Sequence, residues 1–156
     1  MRLYILRHGH APGVSEARVA SDAERPLSES GRQDVRAAAS EILERGGRPA
    51  LILHSPLRRA AETAREAAAV LKPAQGVELF SPLSNELPGP ELWSRLEKRC
   101  ADIEEVLAVG HMPQLGELAA CLCGTSFAIK TAGLVALETH PNGSMAALWS
   151  RNPEER

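Results

Sequence analysis

A chain of 156 residues with 44% hydrophobic residues can bury the core of one domain, so we expect a single domain over residues 1–156. Its 18 basic and 20 acidic side chains give a formal net charge of −2, which excludes a general attraction to nucleic acid or to an anionic membrane. Only 3% of the residues are aromatic, so stacking platforms for nucleic-acid bases are not expected.

The apolar runs and the first residues bear on where the protein works. No run approaches the roughly 18 apolar residues of a transmembrane helix. The N-terminal sequence does not follow the pattern of a signal peptide. We therefore expect a soluble cytoplasmic protein without a membrane partner, and we expect it to be a monomer.

Short runs of β-branched and aliphatic residues alternate with helical patterns along the chain. Strands are predicted at residues 2–6, 50–53, 77–80 and 105–109. Two further runs, 133–139 and 145–150, flank the turn sequence "HPNG" and predict a terminal hairpin. This alternation predicts an α/β fold in three layers: a mostly parallel central sheet with one antiparallel edge strand, and helices on both faces.

Four helices are predicted between the strands, each from apolar residues at i, i+3, i+4 spacing. They cover residues 35–43, 57–71, 90–99 and the stretch between Pro113 and Gly124. We expect Ser55 to be the N-cap of the second helix and Pro56 its first residue. The longest loop is predicted at 9–27, directly after the first strand.

Three cysteines, an odd number, do not form a disulfide framework in a chain of this length. Cys121 and Cys123 are separated by one residue, which is a poor spacing for a structural zinc site. We expect these two and Cys100 to be buried and reduced.

Polar residues follow four successive strands of the predicted sheet. The strand ends are Arg7-His8-Gly9, His54-Ser55 with Arg58-Arg59 after it, Asn85-Glu86, and Gly110-His111. In an open parallel sheet, ligands bind beyond the carboxyl ends of the strands. A single histidine at such a place is more often structural, and we interpret His10, His54 and His140 in that way. The whole set at one sheet edge indicates a binding site.

The residue types at this edge favour a phosphate ligand. Guanidinium groups bind phosphate oxygens through paired hydrogen bonds, so arginines from two strand ends can clamp one phosphoryl group. Nearby cations lower the pKa of a histidine such as His8 and leave a neutral, nucleophilic nitrogen near pH 7. We expect Gly9 to remove a side chain where the ligand must approach.

These motifs resemble the histidine phosphatase superfamily, which includes cofactor-dependent phosphoglycerate mutases and acid phosphatases. "LRHGHA" at 6–11 resembles its Arg-His-Gly signature, "SPLRRAAETA" at 55–64 its Ser-Pro and Arg-Ala-x-x-Thr element, and "VGHMP" at 109–113 its second-histidine motif. The short length, "DAERPL" at 22–27 and "AGLVALE" at 132–138 are similar to the small SixA-type phosphohistidine phosphatases. The likeness covers residues 1–138.

The resemblance implies a nucleophile and a set of phosphate-binding groups. His8 would be the nucleophile, transiently phosphorylated on nitrogen. Arg7, Gly9 and His111 would bind the phosphoryl group, and His111 would stabilise its developing charge through a hydrogen bond.

The resemblance also selects Arg59 as the second phosphate-binding arginine, because it precedes Ala60 and lies four residues before Thr63. Helical geometry leaves Arg58 and Arg59 open. Both lie in the first helical turn, and Arg59 is expected to point away from the apolar stripe.

Glu86 is the only acidic residue at a matching strand end and is the candidate general acid for the leaving group. The alternative is that no acid is present. That alternative suits a phosphoramidate such as phosphohistidine, because a departing nitrogen is protonated with little help. His10 stands where relatives often have an acidic residue, and its role stays open. No metal and no cofactor are implied, since two arginines already neutralise the phosphate and no carboxylate cluster is present.

We therefore expect a metal-independent phosphatase whose substrate is phosphohistidine on a protein. A phosphatase of small phosphorylated metabolites and a mutase-like phosphotransferase are alternatives, although the short chain argues against a mutase. A noncatalytic module that binds phosphate or a phosphoprotein is a third alternative, and the presence of both His8 and His111 argues against it.

Overall fold

The computed structural model describes residues 1–154, so the last two residues of the predicted 1–156 domain lie outside the described residues. Six strands form one sheet. In chain order they are β1 (Arg2–Arg7), β2 (Leu51–His54), β3 (Val77–Leu79), β4 (Glu105–Gly110), β5 (Leu134–Thr139) and β6 (Met145–Arg151). Their order across the sheet is β3-β2-β4-β1-β5-β6.

The strand directions confirm the predicted mostly parallel α/β sheet. β1, β2, β3 and β4 run parallel to one another. The reversal comes at β5, which pairs antiparallel with both β1 and β6. β5 therefore lies one position in from the edge, and its hairpin partner β6 forms the edge itself.

The helices of the described chain lie between the strands, as the alternation predicted. They are α1 (Val14–Ala17), α2 (Glu29–Glu44), α3 (Arg58–Leu71), α4 (Gly89–Arg99) and α5 (Gln114–Cys123), with short 3-10 helices at Asp22–Glu24 and Ser81–Leu83. α2 begins earlier than its apolar stripe predicts, because Ser28 caps it by accepting a hydrogen bond from the backbone N–H of Gly31 (3.0 Å). The predicted loop at 9–27 contains α1 and the first 3-10 helix.

Helices cover both faces of the sheet because successive strand residues point to opposite sides. Leu3 and Ile5 of β1 pack into a cluster with leucines of α4 and α5. Tyr4 and Leu6 pack into a second cluster with α2 and α3. All four side chains are at most 1% exposed, so β1 is the covered centre of the three layers.

Three local predictions are wrong. Ser55 is not the N-cap of α3, which begins at Arg58 after Leu57. β3 ends at Leu79, and a 3-10 helix separates it from Asn85 and Glu86, so this strand does not run on to them. Of the cysteines, Cys100 is buried, but Cys121 is exposed because it lies on the outer side of α5.

The strands that precede the candidate residues end at one edge of the sheet. In the parallel pair β1 and β4, Arg7 lies directly opposite Gly110, so the next residues, His8 and His111, leave the sheet side by side. The His8 N–H continues this ladder by donating to the Gly110 carbonyl oxygen (3.0 Å). Within residues 1–154, no helix combines the length and the apolar character that crossing a membrane requires.

Candidate active site

Two buried histidines form the centre of the site. The rings of His8 and His111 lie 5.1 Å apart between centroids, at an interplanar angle of 52°. The Nδ1 atom of His8 lies 2.7 Å from the carbonyl oxygen of Gly9. Since a carbonyl oxygen only accepts, Nδ1 carries the ring proton in neutral His8. The lone pair of His8 is therefore on Nε2.

His111 is held by the hydroxyl group of Ser55. Its Nε2 atom lies 2.7 Å from Ser55 Oγ, which also accepts a hydrogen bond from the N–H of Leu57 (3.2 Å). The hydroxyl proton can be donated to Nε2, and Nδ1 then keeps the ring proton. In this tautomer, His111 has a donor available for an oxyanion.

Two arginines supply the positive charge. Arg7 donates from one terminal nitrogen to the carbonyl oxygen of Ile129 (3.0 Å), and Arg59 donates from both terminal nitrogens to Asp22 (2.9 and 3.1 Å). The Nε atoms of both arginines are buried and have no hydrogen-bond partner within residues 1–154. The same residues contain no group of three or more metal-ligating side chains.

Electrostatics couples these four side chains. Burial, followed by the charges of His111, Arg59 and Arg7, lowers the pKa of His8 to about 3, although the hydrogen bond to Gly9 raises it. Burial, followed by Arg59 and Arg7, lowers the pKa of His111 to about 4. The pKa of Arg7 is also lowered, first by burial and then by Arg59. Both histidines are consequently neutral at pH 7 inside a positively charged pocket.

The lowered histidine pKa values predict an acid-sensitive fold. In the unfolded chain a histidine binds its proton near pH 6.5, whereas the folded chain resists protonation of His8 and His111 down to about pH 3 and 4. Unfolding therefore takes up protons below pH 6.5. The free energy of unfolding is expected to fall by about 1.4 kcal/mol per pH unit for each histidine between pH 6 and 5.

Urea unfolding at pH 7, 6 and 5 in a buffer without phosphate measures this slope. A His111→Asn variant should lose the contribution of one histidine. Equal slopes in the variant and the natural chain would contradict the assignment.

The structure brings Arg59 into the site and leaves Arg58 outside it. Arg58 is half exposed and donates to Glu62 (2.9 Å) and to the carbonyl oxygen of Glu24 (3.3 Å). Arg59 is 8% exposed, so the expectation that it points away from the buried stripe is wrong. α3 buries a face that includes Arg59 and Thr63, and both residues face the end of β1.

Thr63 joins the segment after β1 to the start of α3. Its hydroxyl accepts a hydrogen bond from the N–H of Gly9 (3.0 Å) and donates to the carbonyl oxygen of Arg59 (2.7 Å).

The prediction that Gly9 leaves room for the ligand is wrong. A Cβ atom there would lie 2.8 Å from the carbonyl oxygen of Gly31 and 2.9 Å from Val35, so this glycine permits contact with α2. Its N–H is likewise used by Thr63.

Glu86 is exposed, and within residues 1–154 its carboxylate makes no hydrogen bond or ion pair. The neighbouring Asn85 fixes the loop, because its side chain and backbone exchange hydrogen bonds with Gln114 (3.0 and 3.2 Å). The role of Glu86 as general acid stays a prediction.

Two other histidines have structural hydrogen-bond partners. His10 contacts the hydroxyl of Ser28 and His54 contacts the carbonyl oxygen of Ser55, each at 2.8 Å.

The arrangement is one that known proteins share. The sequence model of the histidine phosphatase superfamily (branch 1) matches residues 3–84, more than half of the chain. The chain belongs to the histidine phosphatase superfamily. Its relatives include an uncharacterized protein of Picosynechococcus sp., 34% identical over 148 residues that cover 89% of this chain and 86% of the relative.

Solved structures of histidine phosphatases extend the likeness to the whole fold. The protein histidine phosphatase SixA, in complex with tungstate, is 25% identical, with a TM-score of 0.86 and 97% of each chain covered. A mutant phosphoserine phosphatase from Entamoeba histolytica, in complex with phosphoserine, shares the fold at 15% identity, with a TM-score of 0.70 and 96% of this chain and 95% of that chain covered. The chain is thus a phosphatase of the SixA type in its sequence and fold.

Sequence reasoning about this histidine phosphatase missed the supporting roles of three residues. Ser55 holds His111, Thr63 holds the end of β1, and Asp22 holds Arg59. Each lies inside a motif that the sequence displays, so the signal was membership of the motif. The contact that each residue makes depends on packing between distant segments.

Replacing Ser55 by alanine is expected to lower kcat/KM of the phosphatase about 5- to 150-fold. The change leaves Nε2 of His111 buried without its partner, which costs about 1–3 kcal/mol, and it frees the tautomer of the ring. The pH profile of kcat/KM should change as well, because His111 loses the hydrogen bond that fixes its proton. An unaltered rate and an unaltered pH profile would show that Ser55 has no part in the site.

Proposed function

We propose that the protein hydrolyses phosphohistidine on a protein substrate, through a phosphorylated His8 intermediate and without a metal ion. One observation carries this proposal: the neutral rings of His8 and His111 lie 5.1 Å apart between centroids at the sheet edge, and the charges of Arg7 and Arg59 act on both rings. Two adjacent guanidinium groups favour an anion, and their planar N–H groups bind the oxygens of a phosphoryl group. The tungstate bound to the similar SixA protein supports this assignment, since tungstate is a tetrahedral oxyanion like phosphate.

The groups of the site take part in two displacement steps. Nε2 of His8 attacks phosphorus, and the bond between phosphorus and the substrate imidazole breaks. The other ring nitrogen of the substrate imidazole carries a proton, so the electron pair of the broken bond leaves on a neutral imidazole. A water molecule then attacks phosphorus, its proton passes to solvent, and the bond to Nε2 breaks. Orthophosphate departs and the electron pair returns to His8.

The surrounding groups stabilise the charge that develops on phosphorus oxygens. Arg7 and Arg59 offer guanidinium N–H donors, and His111 offers Nδ1–H in the tautomer that Ser55 favours. The hydrogen bond from Nδ1 of His8 to Gly9 keeps Nε2 unprotonated and helps to carry the positive charge that the ring gains in the transition state.

The surroundings of Glu86 support a phosphoramidate rather than an ester as substrate. An ester oxygen leaves as a strongly basic alkoxide unless an acid protonates it. A phosphoimidazole instead takes a proton on its other ring nitrogen near pH 6.5 and then leaves as neutral imidazole, a weak base. Glu86 is exposed and its carboxylate has no hydrogen-bond or ion-pair partner within residues 1–154, so no neighbouring group directs it at a leaving group.

Hydrolysis of a phosphohistidine peptide, compared with a panel of small phosphate esters, tests the proposal. We expect kcat/KM to be highest for the peptide and Glu86→Gln to leave that value within about threefold. Faster hydrolysis of one ester, with a large loss in Glu86→Gln, would instead assign the protein to the small-molecule phosphatases. The likeness in fold to a phosphoserine phosphatase makes that the second candidate.

A further inference from the structure

The exposed carboxylate at the outer edge of the phosphate pocket belongs to Asp22. Its Oδ2 atom accepts a hydrogen bond from a terminal nitrogen of Arg59 (3.1 Å), and its backbone carbonyl oxygen accepts from the other terminal nitrogen (2.9 Å). Asp22 thus binds both terminal nitrogens of the Arg59 guanidinium. The side chain of Asp22 is 62% exposed although that of Arg59 is only 10% exposed, so the carboxylate stands between the buried cation and solvent.

A second arginine fixes the segment that carries Asp22. Arg25 donates to the other carboxylate oxygen of Asp22 (3.0 Å) and to the carbonyl oxygens of Ala11 and Pro12 (2.8 and 2.9 Å). These contacts close the segment between residues 11 and 25 on itself and hold Asp22 over α3. Arg25, then Arg59, lowers the pKa of Asp22, so the carboxylate is charged whenever substrate binds.

The negative charge of Asp22 is close enough to the catalytic residues to affect them. Asp22 is the acidic residue that counteracts the arginines at His111, whose pKa it raises while they lower it. Asp22 is exposed and bound to Arg59, so a leaving group that extends outward beside Arg59 lies near its charge. Attraction between the carboxylate and that group depends on the charge of the group and not on its shape.

We propose that Asp22 is a specificity-determining residue that favours phosphoryl substrates with a cationic leaving group and disfavours those with an anionic one. The inference rests on the proposed function and extends it to the leaving group. The imidazole of phosphohistidine becomes a cation near pH 6.5, which is the charge that Asp22 selects. A phosphate ester whose leaving group bears a carboxylate carries the opposite charge on that group.

Three aryl phosphates vary the charge of the leaving group, and the comparison between variant and natural chain cancels their different intrinsic reactivity. They are para-(aminomethyl)phenyl phosphate, phenyl phosphate and para-carboxyphenyl phosphate, which carry a cationic, a neutral and an anionic group. Asp22→Asn removes the charge and keeps one side-chain oxygen, which can accept from Arg59 but not from Arg25 as well. We expect the ratio of kcat/KM between the cationic and the anionic substrate to fall about tenfold in this variant.

Glu24→Gln is the matched control. It removes one negative charge two residues away, on an exposed side chain that has no contact with Arg59. The ratio should stay at the value of the natural chain. An equal loss on all three substrates in Asp22→Asn would mean that Asp22 only positions Arg59, and an unchanged ratio, or the same shift in Glu24→Gln, would overturn the proposal as well.

Binding separates this inference from the proposed function. The dissociation constants of the three aryl phosphates are measured by calorimetry on His8→Ala and on His8→Ala/Asp22→Asn, neither of which turns them over. Charge discrimination that is lost with Asp22 supports the inference even where the natural chain hydrolyses no phosphohistidine. Equal affinities for the three compounds in His8→Ala, or no binding at all, overturn it.

Discussion

Replacing His8 by alanine is expected to lower kcat/KM for phosphohistidine by about 10⁴-fold or more. His8 is the only candidate nucleophile in the described site with a free nitrogen lone pair in a fixed direction, because Nδ1 donates to Gly9 and Nε2 has no protein partner within residues 1–154. Loss of an activated nucleophile removes the covalent route, and the remaining groups can only bind and polarise the substrate. Rapid-quench kinetics with radiolabelled substrate measures both turnover and the phosphoenzyme.

The phosphoenzyme gives the sharper readout. The natural chain should carry a label that is stable in base and labile in acid, as a phosphorus–nitrogen bond requires, and His8→Ala should carry none. His10→Ala is the matched control. It removes an exposed histidine two residues away, whose ring contacts only Ser28 among the described hydrogen bonds, and labelling should persist. A labelled His8→Ala protein would place the nucleophile elsewhere and end the proposed mechanism.

The central part of the site could be predicted from the sequence because backbone geometry produces it. An apolar run followed by Arg7-His8 and another followed by Gly110-His111 predict two buried strands with polar ends. Parallel strands bring those ends to one edge of the sheet, and the register pairs Arg7 with Gly110. The proximity of His8 and His111 then follows without any knowledge of side-chain packing.

The orientation of Arg59 could not be predicted because it depends on where α3 begins. A helix that starts at Pro56 with Ser55 as its cap fits the local sequence rules. In the structure, the hydroxyl of Ser55 binds His111, a residue 56 positions away, and α3 begins at Arg58. A buried helix face that is predicted from hydrophobicity alone also leaves out arginine, because arginine is rarely buried unless it has a partner.

The role of Asp22 has no local signal for a similar reason. Its contact with Arg59 joins segments that are 37 residues apart, and it forms only when the chain after β1 folds back over α3. Arg25, which holds that segment, contacts mostly backbone carbonyl oxygens. Any residue can provide a carbonyl oxygen, so the sequence pattern does not identify such partners.

Arg58 and Arg59 of α3 give the second large expected effect, because these adjacent residues have different surroundings. Arg59→Ala is expected to lower kcat/KM about 10²- to 10³-fold, since it removes a buried donor that contacts the charge developing on the phosphoryl group. Arg58→Ala removes the ion pair between the half-exposed Arg58 and the buried Glu62, which keeps its contacts with Leu27 and Arg32, and should lower kcat/KM less than about threefold. Steady-state kinetics on the phosphohistidine peptide, with melting temperatures to check folding, measures both.

The affinity for an oxyanion tests the same pair without turnover. Calorimetry with tungstate should show a large loss of affinity in Arg59→Ala and little change in Arg58→Ala. Arg59→Lys should recover only part of the loss, because lysine restores the charge but not the planar group that donates to Asp22 and to phosphate at once. If the Arg58 variant lost as much tungstate affinity as the Arg59 variant, the general positive charge at the start of α3 would bind phosphate, and the proposed role of the buried Arg59 guanidinium would be wrong.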